Sequence, residues 1–266
     1  MKNIQQRYEG FLKTPTLWEG TAVFELKQFK IKQKSIVFDT EIDAKQRLGK
    51  YIERFVSHQL ANTEGITLIA ENIQISKNKI TLGELDFLIN KNGTPIHLEV
   101  IYKFYLYDPS KQGLDCWIGP NKKDSLVEKL DKLRQKQLPL LYAKECEKYL
   151  KSISLYTTDF SQQVYFKAQL FVPLEKNSSI NSRINTDCIV GFYCSLHTLT
   201  EYKNAKFFIP SKKDWLITPH TNVDWMVYEK FLEQSKTYLN RHFSPMCWIK
   251  TTSGELKKFF IVWWET

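Results

Sequence analysis

KITLGELDFLIN (residues 79–90) and PIHLEVIYKFYLY (residues 95–107) flank the short sequence Lys91-Asn92-Gly93. Both segments are rich in β-branched and aromatic residues, and an Asn-Gly turn between two such segments indicates a β-hairpin. In the second segment every even position is apolar or aromatic, whereas the odd positions include His97 and Glu99. Because side chains alternate across a strand, we expect one face to join the core and the other to carry polar groups.

Helical and strand patterns lie on both sides of this hairpin. Residues 43–60 have apolar residues at helical spacing, with Asp43 as the expected N-cap, and residues 66–75 form a further β-branched segment. A basic helix is predicted over about residues 122–137, and a strand over residues 164–172. The order helix, three strands, helix, strand across residues 43–172 predicts an α/β fold with a mixed sheet.

The rest of the chain carries weaker patterns. Residues 1–40 are irregular, and after the core the sequence predicts strands at 189–196, 246–251 and 256–264 and a helix at 224–243. No repeat and no linker composition interrupts the 266 residues. We therefore expect a single elaborated domain over residues 1–266: an N-terminal segment, a core at residues 43–172, and an α+β extension at residues 173–266 packed on that core.

Composition excludes several classes of protein. Hydrophobic residues make up 42% of the chain, with only 10 Gly and 9 Pro, which excludes disordered and collagen-like chains. No apolar run approaches the roughly 20 residues that span a bilayer. Residues 1–9 have no apolar segment, so we expect a cytoplasmic protein whose five cysteines are reduced thiols. A zinc site at Cys188, Cys194 and His197 is an alternative that no CxxC pair supports.

The net charge of +9 is unevenly distributed along the chain. Residues 61–90 are the only net-negative segment, at −2, and they lie between segments of +4 and +3. A basic surface favours nucleic acid as a partner, although a lysine-rich solvated surface has the same signature. The acidic segment contains Asp86, so the carboxylates of the hairpin are the first candidates for a functional site.

Asp86 and Glu99 stand on the two strands of the predicted hairpin. Neighbouring antiparallel strands lie about 5 Å apart, so carboxylates on one face of such a pair can converge on a single cation. Mg²⁺ and Mn²⁺ prefer oxygen ligands of this type, and such an ion can activate water against a phosphate ester. Glu53, beside the apolar stripe of the first helix, is a candidate third carboxylate.

These residues resemble a known pattern. A helix with Glu53, then Glu84-Leu85-Asp86, then His97-Leu98-Glu99 is similar to the PD-(D/E)XK nuclease superfamily, whose core has the same order of elements. More closely, residues 83–88, 97–106 and 119–140 resemble an uncharacterised bacterial protein family placed in that superfamily. The resemblance implies a restriction-endonuclease-like core and Mg²⁺- or Mn²⁺-dependent phosphodiester hydrolysis, with Asp86, Glu99 and Glu53 as metal ligands.

One position departs from the superfamily pattern. The pattern has a lysine two residues after the glutamate, where this chain has Ile101, and the nearest lysine is Lys103. At roughly 3.3 Å per residue Lys103 lies about 13 Å from Glu99, so it must reach back or a bulge must shorten the strand. Otherwise Lys129 or Gln137 of the next helix is the candidate for this role, and some nucleases of the superfamily use such a helix glutamine.

Two functional hypotheses follow from the sequence. The first is a metal-dependent nuclease-like enzyme acting on DNA or RNA, with Glu53, Asp86, Glu99, Lys103 and Gln137 as site residues. The second is a nuclease fold that has lost catalysis and binds nucleic acid or another protein, for which the displaced lysine is the argument. A steep salt dependence of binding without turnover is the signature of the second.

Overall fold

The computed structural model of the chain describes residues 3–32, 36–43, 45–175 and 183–264. Within these ranges the protein is an α/β molecule with five α-helices and one large mixed sheet of nine strands. The helices are α1 (Ile4–Lys13), α2 (Leu48–Ala61), α3 (Leu126–Lys132), α4 (Lys144–Ser152) and α5 (Tyr228–Leu239). The strands are β1 (Ile66–Lys77), β2 (Ile80–Lys91), β3 (Thr94–Tyr107), β4 (Trp117–Ile118), β5 (Ser161–Pro173), β6 (Ile189–Cys194), β7 (Lys206–Phe208), β8 (Met246–Lys250) and β9 (Leu256–Ile261).

The order of strands across the sheet is β1-β2-β3-β5-β6-β9-β8-β7, with the short β4 paired to the end of β3. Strands β3, β5, β6 and β9 run parallel, and antiparallel strands flank them on both sides. The same sheet therefore continues from the predicted core into the C-terminal residues. The α/β prediction is confirmed, as is the mixed sheet.

The predicted hairpin forms β2 and β3, with Asn92 and Gly93 in the left-handed region at φ 51° and 83°. Its ladder has five residue pairs, from Lys91 opposite Thr94 to Phe87 opposite Leu98, and then stops. Beyond that point β2 remains paired only with β1, as far as Ile80. The two strands thus separate just where Asp86 and Glu99 would face each other.

Both faces of β3 are covered, contrary to the expectation of one core face and one polar face. Leu98 packs in the core beneath α1 and α2, while Ile101 packs on the opposite face against α3. His97 and Glu99, on the face expected to be polar, are fully buried. The reason is that β3 is a central strand, paired to β5 along eleven residues and covered by helices on each side.

The predicted helix boundaries needed correction at their N-termini. Helix α2 begins at Leu48 rather than at residue 43, because the Asp43 side chain instead accepts a hydrogen bond from the Lys45 amide in a turn. Helix α3 begins at Leu126 rather than near residue 122, where Ser125 and Glu128 form a capping box. The N-terminal segment, left irregular by the sequence, contains helix α1.

Helix α3 does not end as an ordinary α-helix. It passes into a π-helical segment, Leu133–Gln137, and then into a 3₁₀ helix, Leu138–Tyr142, with Pro139 in its first turn. The wider π-helical turn changes the direction in which the following side chains point. This irregular stretch lies over β2 and β3 at the place where they separate.

Candidate metal and active site

Carboxylates from three different positions converge at the separation of β2 and β3. Glu53 of α2 and Glu84 and Asp86 of β2 each place one carboxylate oxygen so that all three oxygens lie within 4.8 Å of one another. Glu53 and Asp86 were expected here from the sequence. Glu84 was not assigned a role, although its spacing of two residues from Asp86 on a strand puts both side chains on one face.

Asp86 connects this carboxylate cluster to strand β3 through a hydrogen bond. Its Oδ2 accepts a 2.9 Å hydrogen bond from the Val100 amide, so the side chain replaces a main-chain contact where the β2–β3 ladder has ended. Burial raises the pKa of Asp86 to about 7, and the neighbouring charge of Glu99 adds to the shift. Asp86 and Glu99 are therefore close enough to oppose each other's ionisation.

Glu99 is held by hydrogen bonds on both of its oxygens. His97 Nε2 lies 3.0 Å from Oε1, and Gln137 Nε2 donates to Oε2 at 2.5 Å. Since Gln162 Nε2 lies 2.9 Å from His97 Nδ1 and donates to it, the proton of His97 is on Nε2 and points to Glu99. Burial lowers the pKa of His97 to about 4, which keeps this imidazole neutral.

The acidic character of the site is reflected in three raised pKa values. Burial raises the pKa of Glu99 to about 7, although the charge of Lys129 acts to lower it. Burial likewise raises the pKa of Glu53 to about 7. With Asp86, three carboxyls of one site thus resist ionisation. Glu53, Glu84 and Asp86 have the spacing of oxygen donors that a hard divalent cation prefers, and such a cation would relieve the repulsion; Glu99 lies outside this group of three. The residues present therefore fit Mg²⁺ or Mn²⁺.

The ammonium of Lys50 lies at the rim of the cluster. It donates to Glu53 Oε2 at 2.8 Å, to Asn72 Oδ1 at 2.8 Å and also to Glu84. Sequence reasoning missed Lys50, although its i,i+3 relationship to Glu53 on one helix was a usable signal. This lysine supplies a positive charge to the carboxylates from the protein itself.

Lys103 is not brought into the site. It donates to Asp124 Oδ2 at 2.5 Å, on the loop before α3. The β3–β5 pairing runs without a register shift from Ile96 to Leu106, so no bulge shortens the strand between Glu99 and Lys103. The expected role of Lys103 at the carboxylates is therefore not supported by its position.

The other two helix candidates do reach Glu99. Gln137 bonds to Glu99 directly, and Lys129 Nζ donates to Gln137 Oε1 at 2.6 Å. Burial lowers the pKa of Lys129 to about 8, although the charges of Glu99 and Asp86 act in the opposite direction. A lysine with a lowered pKa beside buried carboxylates is an arrangement suited to general acid–base work.

The zinc alternative is not formed within the described residues. The thiol of Cys188 instead contacts the main-chain oxygens of Pro15 and Thr16, at 3.8 and 3.5 Å. The group of potential ligands with metal spacing found in those residues is the acidic one at Glu53, Glu84 and Asp86.

With the site described, comparison with known proteins gives one result. A family model described as Domain of unknown function (DUF1853) matches residues 10–262. The chain belongs to this family. No curated protein and no solved structure matches it. The DUF1853 match covers both the carboxylate site and the C-terminal strands, so the sheet as a whole lies within the family's domain.

In the described residues no helix is both long and apolar enough to cross a bilayer.

Proposed function

We propose that this DUF1853 protein is a divalent-metal-dependent nuclease-like enzyme of the PD-(D/E)XK type, which hydrolyses phosphodiester bonds in DNA or RNA. The observation that carries the proposal is the convergence of Glu53, Glu84 and Asp86 within 4.8 Å, with the buried Glu99 beside them. Apart from the short β4 and the inserted α4, the order α2, β1, β2, β3, α3, β5, with β3 and β5 parallel, matches the order that the resemblance implies.

The metal, the buried carboxylates and Lys129 would each have a separate role in such a reaction. Mg²⁺ or Mn²⁺, when bound, supplies a polarised water and neutralises charge on the phosphate. Asp86 and Glu99 are held in position by Val100, His97 and Gln137, so their carboxylates do not need to reorient. Lys129 takes over the role of the strand lysine that the pattern lacks, since its ammonium reaches Glu99 through Gln137.

Cleavage assays with matched variants test this proposal. Wild-type protein is incubated with single- and double-stranded DNA and RNA, with Mn²⁺, Mg²⁺ or EDTA. We expect metal-dependent cleavage that falls at least about 100-fold in Asp86→Asn, because this change removes a ligand charge while keeping the shape. Glu147→Gln is the control, since Glu147 pairs with Lys151 on the surface of α4. Equal cleavage by wild type and Asp86→Asn would overturn the catalytic proposal.

The second candidate function is a nuclease fold that binds nucleic acid or a protein without turnover. The observation that favours it is the bond between Lys103 and Asp124, which leaves the strand lysine away from the carboxylates. Salt titrations of nucleic-acid binding separate the two candidates. A steep salt slope with no metal-dependent products favours the binding module, whereas absence of nucleic-acid binding at low salt counts against both candidates as nucleic-acid proteins and leaves a protein-interaction role.

A further inference from the structure

A cavity of about 330 Å³ lies at the opposite end of β3 from the carboxylates. Strands β3, β5, β6 and β9 are parallel, so their carboxyl ends meet at one edge of the sheet. The residues that follow these strands line this cavity and a neighbouring one of about 520 Å³: Asp108–Ser110, Leu174–Glu175, Ser195–Thr198 and Val262–Trp264. In open α/β sheets this edge is where small ligands bind.

Hydrogen bonds connect the strand ends that surround the cavity. Tyr193 Oη donates to the Tyr107 carbonyl at 2.6 Å, and the Val262 amide donates to the Cys194 carbonyl at 3.0 Å. The Leu174 amide donates to the Tyr193 carbonyl at 3.0 Å. These bonds tie the ends of all four parallel strands together, so the walls are held in place before any ligand enters.

The walls combine a flat aromatic surface with charged groups at the opening. Lys122 Nζ lies 4.8 Å from the centroid of the Trp264 ring, and Trp263 meets Trp264 edge-on at 5.5 Å. Among the described residues no hydrogen bond or ion pair engages the exposed carboxylate of Glu175, which lines both cavities. Asp108 is a second carboxylate in the lining, and its Oδ1 accepts hydrogen bonds from the amide and the hydroxyl of Ser110.

Each of these groups selects a part of a ligand. An indole ring stacks on flat heteroaromatic rings, and a carboxylate accepts hydrogen bonds from an amino group on such a ring. The Lys122 ammonium, which lies over the Trp264 ring in the free protein, would be displaced by a stacked base and suits the phosphate of the same ligand. We propose that this cavity binds a nucleotide, with an amino-substituted base against Trp264 and Glu175 and the phosphate at Lys122.

This site is separate from the carboxylates of β2 and β3. Glu99 and Asp108 are nine residues apart on an extended strand, which at roughly 3.3 Å per residue is about 30 Å. The nucleotide proposal therefore does not rest on the proposed nuclease activity. The Asp86→Asn protein, whose cleavage we expect to be lost, should bind nucleotides with wild-type affinity.

Isothermal titration with cytidine and uridine monophosphates tests the proposal, since these ligands differ chiefly in an amino or a keto group on the base. We expect the cytidine nucleotide to bind about tenfold more tightly, because the proposed contact is at position 4 of the base, where cytosine offers Glu175 an amino donor and uracil only a keto acceptor. Glu175→Gln should abolish this preference, since an amide can both donate and accept. Trp264→Ala should weaken both nucleotides about tenfold, while Trp225→Ala, outside the cavity, should not.

Three outcomes would overturn the proposal. The first is the absence of binding by either nucleotide at millimolar concentration. The second is inorganic phosphate binding as tightly as the cytidine nucleotide, which would reduce the site to Lys122. The third is unchanged nucleotide affinity in a Trp264→Ala protein whose circular dichroism spectrum and melting temperature match the wild type.

Discussion

Gln137 donates a 2.5 Å hydrogen bond to Glu99 from a helical segment 38 residues further along the chain. The same amide accepts a hydrogen bond from Lys129 at 2.6 Å, so a lysine and a buried carboxylate are joined through one glutamine. The π-helical turn Leu133–Gln137 is the local distortion that brings the two helix residues to this strand. The site thus has a positive charge beside Glu99 even though residue 101 is isoleucine.

The first prediction concerns which lysine serves the reaction. Lys129→Gln should lower metal-dependent cleavage at least about 100-fold, because it removes the ammonium beside Glu99. Lys103→Gln is the matched control and should change cleavage less than about threefold, since Lys103 bonds to Asp124. Single-turnover cleavage rates measure both effects. The opposite ranking of the two variants would restore the role first expected for Lys103.

The second prediction concerns Lys50. Its ammonium bonds to Glu53 and Glu84, two of the proposed metal ligands, so it competes with a metal for the same oxygens. Lys50→Met should therefore tighten Mn²⁺ binding about tenfold at pH 8. Titration of Mn²⁺ followed by calorimetry or electron paramagnetic resonance gives the Kd. The control is Lys151→Met, which breaks only a surface pair with Glu147 and should leave the Kd for Mn²⁺ unchanged. Weaker Mn²⁺ binding by Lys50→Met would contradict the proposed competition between Lys50 and the metal.

The third prediction is a pH dependence of stability in the metal-free protein. Burial, with the charge of Glu99, raises the pKa of Asp86 to about 7, so the folded state binds this proton more tightly than the unfolded state. The stability that Asp86 confers is therefore full below about pH 4 and is lost as the pH rises through 7. Asp86→Asn does not titrate and should gain about 2 kcal/mol on wild type at pH 8.

Melting curves in EDTA at pH 5 and pH 8 check this sign. The melting temperature of Asp86→Asn should exceed that of wild type by about 5 °C at pH 8 and by about 2 °C at pH 5. Adding Mn²⁺ at pH 8 should reverse the order, because the ion binds the wild-type carboxylates and not the variant. A gain that is larger at pH 5 than at pH 8 would contradict the raised pKa.

The fourth prediction concerns a buried lysine far from the carboxylates. Lys167, only 1% exposed, donates to the carbonyls of Phe11, Leu12 and Thr14 and so completes the C-terminus of α1. Lys167→Met leaves these carbonyls without their donor and should destabilise the protein by about 2–3 kcal/mol. Urea denaturation measures the change, and Gln234→Met on the exposed side of α5 is a control of similar length.

The loss of stability in Lys167→Met should depend on pH in a definite direction. Burial lowers the pKa of Lys167 to about 7, so the folded state releases this proton more readily than the unfolded state. Wild-type stability from this residue therefore rises as the pH increases from about 7 to 10.5, and the deficit of Lys167→Met should grow over the same range. Equal deficits at pH 6.5 and pH 9.5 would contradict the lowered pKa, because the lysine would then keep its proton over the whole range.

Much of the central fold was predictable because its signals are local. The Asn92-Gly93 turn and the apolar alternation around it specify β2 and β3, and the leucines of α3 specify the helix after them. The boundaries at Leu48 and Leu126 were harder, because capping depends on where each chain segment meets the sheet. Helix α1 was missed, since only packing of Tyr8 and Phe11 beneath the sheet distinguishes it from an irregular aromatic segment.

The site shows a similar division between local and tertiary information. Asp86 and Glu99 were proposed from their strands and Gln137 from its place on the next helix, and the fold brings these three side chains close together. Sequence alone could not establish whether β3 carries a bulge that would bring Lys103 towards Glu99, whereas the eleven-residue pairing with β5 shows a regular strand with Lys103 bonded to Asp124. Lys50 reaches Glu84 across 34 residues of sequence, a contact that only the folded chain creates.

The early end of the β2–β3 ladder affects how the spacing of the carboxylates is maintained. Glu84 and Asp86 belong to the β1–β2 ribbon, whereas Glu99 belongs to the parallel block, and no main-chain pairing joins the two beyond Phe87. The ribbon is held there by the hydrogen bond from the Val100 amide to Asp86 and by the apolar cluster that Leu85 shares with Leu141 and Leu150. Side-chain volume in that cluster therefore contributes to the spacing of the carboxylates, so Leu150→Ala would alter the site although Leu150 belongs to α4 and not to the carboxylate group.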